Sequence, residues 1–344
     1  MVDWSTEEQL GRLRERAAGL FVYAAATVKF IGNNKRNPET QLDLLLQSQK
    51  IGAREGKSLD SLYASILQEA FGDDDPESIR SVFAAVILAV NPLSPSAIAT
   101  LLGLNTKDVF PLLTSISSLL ILREDADRPV QPFHKSFPDF VTDPTRCTDK
   151  GIHVSPPHHH LQLLMGCLGL MNGTLEKNMC GLPDGVANSD VSDLKDRTER
   201  CIDPALRYAC LSWHMHLIAA DTTPARAPVT TPTLHQFLET KFLFWLEVLS
   251  VLGATRNAVE ALQVATDWLE VCRVPTPHAL CRSICPKNKS PHTNVSHARA
   301  PPHHTRRAPL TRRTGTLTFP GGYFPPWPGL NRRQGNHPVD FYAV

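Results

Sequence analysis

The sequence predicts a mainly α-helical protein that contains one small β-hairpin. Apolar residues recur at spacings of three and four over most of the first 272 residues, which is typical of amphipathic helices. Asn-Pro and Asp-Pro pairs and single glycines stand where these stretches begin or end. Between Ser94 and Thr142, two short helical patterns precede a hairpin pattern, which is the order of a winged helix. We therefore expect a helical bundle, a winged helix, a second helical domain and a disordered C-terminal tail.

The first helix is predicted over Thr6–Ile31. Ser5 and Glu8 have the spacing of a capping box, and Gly32 follows the last periodic residue. Gly19 lies inside this stretch, where it costs about 1 kcal/mol relative to alanine. Such a glycine suggests a close approach by a neighbouring helix or by a ligand, and the neighbouring helix is the more common case.

Three further helices complete a first domain over residues 1–92. The second and fourth begin at Asn37-Pro38 and Asp75-Pro76, and Ser58 is expected to cap the third. The fourth contains Val82–Val90, which is apolar on all sides and should therefore be buried. Asn91-Pro92 ends it.

Residues 93–145 carry the winged-helix pattern. Ser94 is a good N-cap, Pro95 suits the first helical position, and Gly103 ends the turn. Thr106 is expected to cap the second helix. The hairpin is predicted as strands at Leu119–Arg123 and Val130–Phe133 around a polar turn.

Residues 146–272 form a second all-helical unit. Helical periodicity returns at His159–Leu175, and Asp203-Pro204 begins another helix. A loop is expected at Gly181–Ser192 and a linker at Thr222–Pro232. The last two helices are predicted at Leu234–Leu252 and Arg256–Cys272, with Val259, Leu262, Ala265 and Leu269 facing the first of the pair.

The charge of the chain is unevenly distributed. Residues 273–344 hold eleven Lys or Arg and one acid, which leaves 24 basic and 33 acidic residues in the rest. This basic, proline-rich tail has little aliphatic content and is predicted to be disordered. The eight cysteines show no CxxC pair and are expected to be buried thiols. No apolar run reaches the roughly 20 residues of a membrane helix, and the N-terminus is polar. We expect a cytoplasmic protein.

Several motifs occur in the order found in fungal NACHT–WD40 proteins, which are NLR-like STAND NTPases. The similar stretches span about residues 5–272: Arg16–Ala24, Phe133–Asp143, Leu170-Met171-Asn172, Ala205–Cys210 and Phe244–Ser250. In that family a nucleotide-binding core is followed by a helical domain, a winged helix, a further helical domain and a WD40 propeller. The resemblance implies that this chain corresponds to the part between core and propeller, with residues 1–92 as a lid-type domain.

The resemblance also suggests nucleotide-sensing residues. Gly19-Leu20-Phe21 is similar to a Gly-Leu-Pro motif whose proline packs near adenine, although the third residue here is Phe21. His134 stands where the family's winged-helix histidine senses ADP phosphate, although its neighbours Phe133 and Lys135 differ from the family's Met and Asp.

Reaction chemistry is not expected, and no catalytic residue is assigned. The sequence contains no GxxxxGK[ST] phosphate-binding loop, no nucleophile elbow and no WD40 repeat period. We interpret the chain as a non-catalytic regulatory and interaction fragment without a cofactor. Its expected partners are NACHT/STAND relatives or a second copy, and ATP or ADP enters only if a NACHT core is supplied.

Two other functions are weighed against this interpretation: a winged-helix DNA-binding regulator and a nucleotide-sensing lid that acts in trans with an intact NACHT protein. The candidate recognition helix, Lys107–Ser118, has one base and one acid, so nucleic-acid binding is not expected. His153 and His158–His160 are not expected to bind a metal. Consecutive histidines point to different helix faces, so at most two of them converge, and no cysteine or carboxylate lies at ligand spacing.

Overall fold

Helices make up most of the described chain, so the prediction of a mainly α protein is confirmed. The computed structural model describes residues 5–33, 37–47, 55–71, 76–220 and 227–273. The predicted disorder of the tail lies outside these residues. The helices within the described ranges are α1 (Glu7–Ala17), α2 (Phe21–Ile31), α3 (Pro38–Gln47), α4 (Glu55–Phe71), α5 (Pro76–Leu88), α6 (Pro95–Leu102), α7 (Thr106–Ser115), α8 (Ser136–Val141), α9 (Pro156–Thr174), α10 (Leu194–Cys201), α11 (Pro204–Ala219), α12 (Ala227–Thr240), α13 (Phe242–Val251) and α14 (Arg256–Arg273).

The prediction of one continuous helix over Thr6–Ile31 is wrong. Ala18 and Gly19 both have positive φ angles, of 45° and 80°, which end α1 before α2 begins. A Cβ added to Gly19 would meet nothing within 4 Å, so this glycine serves backbone conformation and not a close approach. The capping box of α1 lies one residue later than predicted, between Thr6 and Gln9.

Other helix ends also differ from the sequence prediction. Helix α4 already includes Ser58, whose buried hydroxyl donates to the Arg16 carbonyl at 3.0 Å, so Ser58 is not its cap. Asn105 and not Thr106 caps α7, since its side chain accepts from the Lys107 N–H. Helix α9 begins three residues before the predicted start.

The predicted helix–helix–hairpin order is present in α6, α7, β1 (Leu120–Ile121) and β2 (Gln131–Pro132). Ser94 caps α6 by accepting from the Ala97 N–H, and Gly103 ends α6 with a φ of 66°. The two strands pair antiparallel, with Leu120 opposite Pro132. They are shorter than predicted.

The C-terminal helices pack around a cluster of buried aromatic rings. Trp213 on α11 contacts Phe237 on α12 and Trp245 on α13, with ring centroids 5.3 and 6.0 Å apart. The indole of Trp245 also donates to the Cys210 carbonyl at 2.9 Å. The aromatic contacts therefore join three helices of the second helical region.

Three predictions for this region are wrong. Helix α12 runs through the second half of the predicted linker and has Pro232 in its interior. Lys241 separates α12 from α13, so Leu234–Leu252 is not one helix. Val259 is 75% exposed and does not face the preceding helix. Amphipathic periodicity continued across the Lys241 break and concealed it.

Helices before and after the hairpin pack in one contact unit, Met1–Cys285, that includes all described residues. The division at residues 92 and 145 therefore stays a prediction. Cys147, Cys167, Cys180, Cys201 and Cys210 are free thiols, and Cys201 is half-buried while the others are buried. Among the described helices, none combines the length and the apolar content that crossing a bilayer requires.

Candidate functional site

The predicted sensing residue His134 lies between β2 and α8, with an exposed side chain. Its Nδ1 accepts the Ser136 backbone N–H at 3.2 Å and lies 2.8 Å from the Ser136 hydroxyl. That hydroxyl is 2.7 Å from the phenol of Tyr63, a buried residue of α4. The neutral His134 ring therefore carries its proton on Nε2, which remains available to a ligand.

Gly19 and Leu20 lie at the far end of α2 from the element that carries His134. Phe133 contacts α2 through Lys29, whose Nζ is 4.0 Å from the ring centroid. Lys29 comes eight residues after Phe21, about 12 Å along the helix axis. The sensing roles of His134, Gly19 and Leu20 stay predictions, carried by the family resemblance.

An exposed apolar stripe lies on α2. Phe21 is 83% and Val28 is 70% exposed, and their spacing of seven residues places them on one helix face. Ala24, also exposed, lies between them on this face. We call these three residues the α2 stripe.

A buried chain of polar groups connects α9 and α11 to the residues after α5. The Val90 N–H donates to the Tyr208 oxygen at 3.1 Å, and this hydroxyl lies 2.7 Å from His216 Nε2. His216 Nδ1 in turn lies 2.9 Å from His160 Nδ1. Because Tyr208 accepts from Val90, its own proton can be donated to His216, which then donates from Nδ1 to His160.

His160 and His216, the two histidines in this series of hydrogen bonds, are neutral at pH 7. Burial lowers the pKa of His216 to about 3 and the pKa of His160 to about 4, because removal from water disfavours the charged ring. Burial likewise raises the pKa of Tyr208. No sequence pattern indicates this arrangement, because its members belong to separate segments of the chain.

A group able to bind a metal forms where α5 and α9 begin. One donor atom from each of Glu77, His158 and His159 lies within 4.8 Å of the other two. Spacing along the sequence could not reveal this group, because Glu77 precedes His158 by 81 residues. Beside it runs an open groove of about 790 Å³, lined by α5, α6 and one face of α9 that includes Gly166 and Gly169.

Comparison with known proteins supports a relationship to the NACHT family. The relative found is the vegetative incompatibility protein HET-E-1 of Podospora anserina, a NACHT/WD40 protein. The two sequences are 26% identical over 234 residues, which is 60% of this chain and 16% of the relative. This chain therefore spans about one sixth of the length of that relative. No protein-family model matches the sequence, and no solved structure matches it.

Proposed function

We propose that this chain acts as a non-catalytic regulatory and interaction segment of an NLR-like STAND protein, in the position between a NACHT core and WD40 repeats. The observation that carries the proposal is the similarity to a NACHT/WD40 protein over 234 residues, together with the mainly helical fold. The sequence has no phosphate-binding loop, which supports a role without phosphoryl transfer. Its cytoplasmic location is part of the same proposal.

The element order supports assignment of α6, α7 and the β1–β2 hairpin as a winged helix. His134 follows the hairpin directly and is held at the start of α8 by Ser136. Residues 1–92 then act as the lid-type helical domain.

The α2 stripe is the proposed contact with the core. Phe21 and Val28 present apolar surface to water on one helix face, and burial of this surface favours association. A partner core, or a second copy of the chain, would cover Phe21 and Val28. Val259 on α14 is similarly exposed, so it provides a control for substitution at an apolar surface position.

The proposal is tested by the rate at which a NACHT core releases a fluorescent ADP analogue. The core of the relative is loaded with the analogue, and the full chain is then added. We expect the wild-type chain and the Val259→Glu variant to slow release of the analogue relative to the core alone. The Phe21→Glu variant should leave the release rate of the core unchanged, because a buried charge without a partner opposes association. An unchanged release rate with the wild-type chain would contradict the proposal.

Sensing in trans by His134 is the second candidate, favoured by the exposed position of its ring. If His134 contacts the phosphate of a bound nucleotide, His134→Ala abolishes the slower ADP release while leaving binding to the core intact. If binding and release change together, His134 has a structural role at the start of α8.

The surface of α7 supports the proposal over DNA binding. Its exposed side chains are Lys107, Asp108 and Pro111, so one positive charge is offset by one negative charge. Binding to the phosphate backbone needs several cations on one face. A salt-dependent gel shift of duplex DNA, lost in Lys107→Glu, would instead establish the DNA-binding function.

A further inference from the structure

The first turns of α5 and α9 bring together three side chains that are common metal ligands. Glu77 lies on α5, and His158 and His159 lie on α9. His158 Nε2 is 3.5 Å from Glu77 Oε1. The two helices come from opposite sides of the hairpin segment in the sequence, so only the folded chain forms this group.

His159 has the features of a prepared ligand. The residue is 2% exposed, and its Nδ1 lies 2.8 Å from the Ser155 carbonyl oxygen. Since a carbonyl only accepts, Nδ1 carries the proton and Nε2 carries the lone pair. Nε2 is buried and has no hydrogen-bond partner among the described residues. A backbone carbonyl on one ring nitrogen is the usual support of a histidine that binds metal through the other.

Glu77 supplies the negative charge. The carboxylate accepts hydrogen bonds from the Arg80 guanidinium and, at 2.9 Å, from Gln162 Nε2, and these bonds hold it beside His158.

We propose that Glu77, His158 and His159 bind a divalent transition-metal ion of the zinc class. Two imidazole nitrogens and one carboxylate oxygen are a ligand set that zinc accepts, with a fourth position left for water. Bonds of about 2.0–2.2 Å place tetrahedral ligand atoms about 3.3 Å apart, so the partly exposed Glu77 and His158 side chains must move inward. The ion would join α5 to α9.

Arg80 opposes the metal and so offers a second test. Its guanidinium contacts Glu77 Oε2 and also the Lys150 carbonyl. The positive charge of Arg80 repels a cation that binds Glu77. Replacement by a neutral glutamine removes the competition, and we expect Arg80→Gln to bind the metal several-fold more tightly.

The experiment is calorimetric titration of the metal-stripped full chain with ZnCl₂ at pH 7.5. Cobalt(II) absorption serves as a second readout of coordination by nitrogen and oxygen. Glu77→Gln and His158→Ala both alter partly exposed side chains, so the fold is expected to survive. His235→Ala is the matched control, because His235 pairs with Glu239 on α12 at 3.8 Å and has no third candidate ligand among the described residues.

The site predicts one class of bound zinc whose affinity falls at least tenfold in Glu77→Gln and in His158→Ala and is unchanged in His235→Ala. The chain has 14 histidines, so weak binding elsewhere is separated by this comparison between variants. Equal zinc affinity in the wild type, Glu77→Gln and His158→Ala would overturn the proposal, as would the absence of zinc binding. Neither result depends on the proposed relation to NACHT cores.

Discussion

Substitution of Gly166 tests how closely α6 approaches α9. A Cβ at this position would lie 2.2 Å from the Leu101 carbonyl oxygen. Carbon–oxygen contacts settle at about 3.3–3.6 Å, so Gly166→Ala must push the helices apart by about 1 Å. Gly169 and Gly173 lie on the same helix, and a Cβ at either would meet nothing within 4 Å. They provide matched controls.

The expected free energies follow from these contacts. A clash with backbone atoms costs about 3 kcal/mol, near the upper end for overpacked cores. Replacing a glycine inside a helix by alanine stabilises the helix by about 1 kcal/mol. We therefore expect Gly166→Ala to lower the free energy of unfolding by about 2 kcal/mol, and Gly169→Ala to raise it by about 1 kcal/mol.

Urea denaturation of the full chain, followed by far-ultraviolet circular dichroism, measures both changes. Gly173→Ala should behave like Gly169→Ala, although its effect is smaller because it lies in the last turn of α9. Equal midpoints for Gly166→Ala and Gly169→Ala would show that α6 does not approach α9 at this residue. That result would refute the packing described above.

Two further predictions concern buried and half-buried polar groups. The pKa values of His160 and His216 in the folded chain lie below the ordinary value for histidine, so the unfolded chain binds more protons as the pH falls below about 6.5. The contribution of these rings to the free energy of unfolding should be fully present above this pH. It should decline towards pH 4 by up to about 1.4 kcal/mol per pH unit for each ring. The decline in urea midpoints should be less steep in His160→Gln. Arg146 holds Asp60 through two hydrogen bonds, of 2.6 and 3.1 Å, so Arg146→Lys should lower the free energy of unfolding by about 1 kcal/mol because lysine lacks the planar fork. A urea midpoint equal to that of the wild type would contradict the second prediction.

Local signals explain which parts of the fold the sequence could predict. Ser94 and Asp203 each precede a proline and accept from backbone N–H groups of the helix they begin. Gly103 adopts the positive φ that its place after α6 suggested. Caps and turns depend on a few adjacent residues, so the sequence carries the information directly.

Some local signals were ambiguous. Gly19, beside Ala18, is compatible with a turn as well as with a close approach, and Pro232 lies inside a helix that a proline normally interrupts. The groups at α5 and α9, and the buried chain from Val90 to His160, join residues far apart in sequence. No spacing rule reveals such groups, because packing of whole helices brings them together.

In the proposed function, this chain binds a NACHT core through the α2 stripe. Biolayer interferometry with the immobilised full chain and the ADP-loaded core of HET-E-1 measures the affinity directly. We predict saturable binding that is weakened at least tenfold by Phe21→Glu and is unaffected by Val259→Glu. The absence of binding, or equal weakening by both substitutions, would contradict the proposed contact through the α2 stripe.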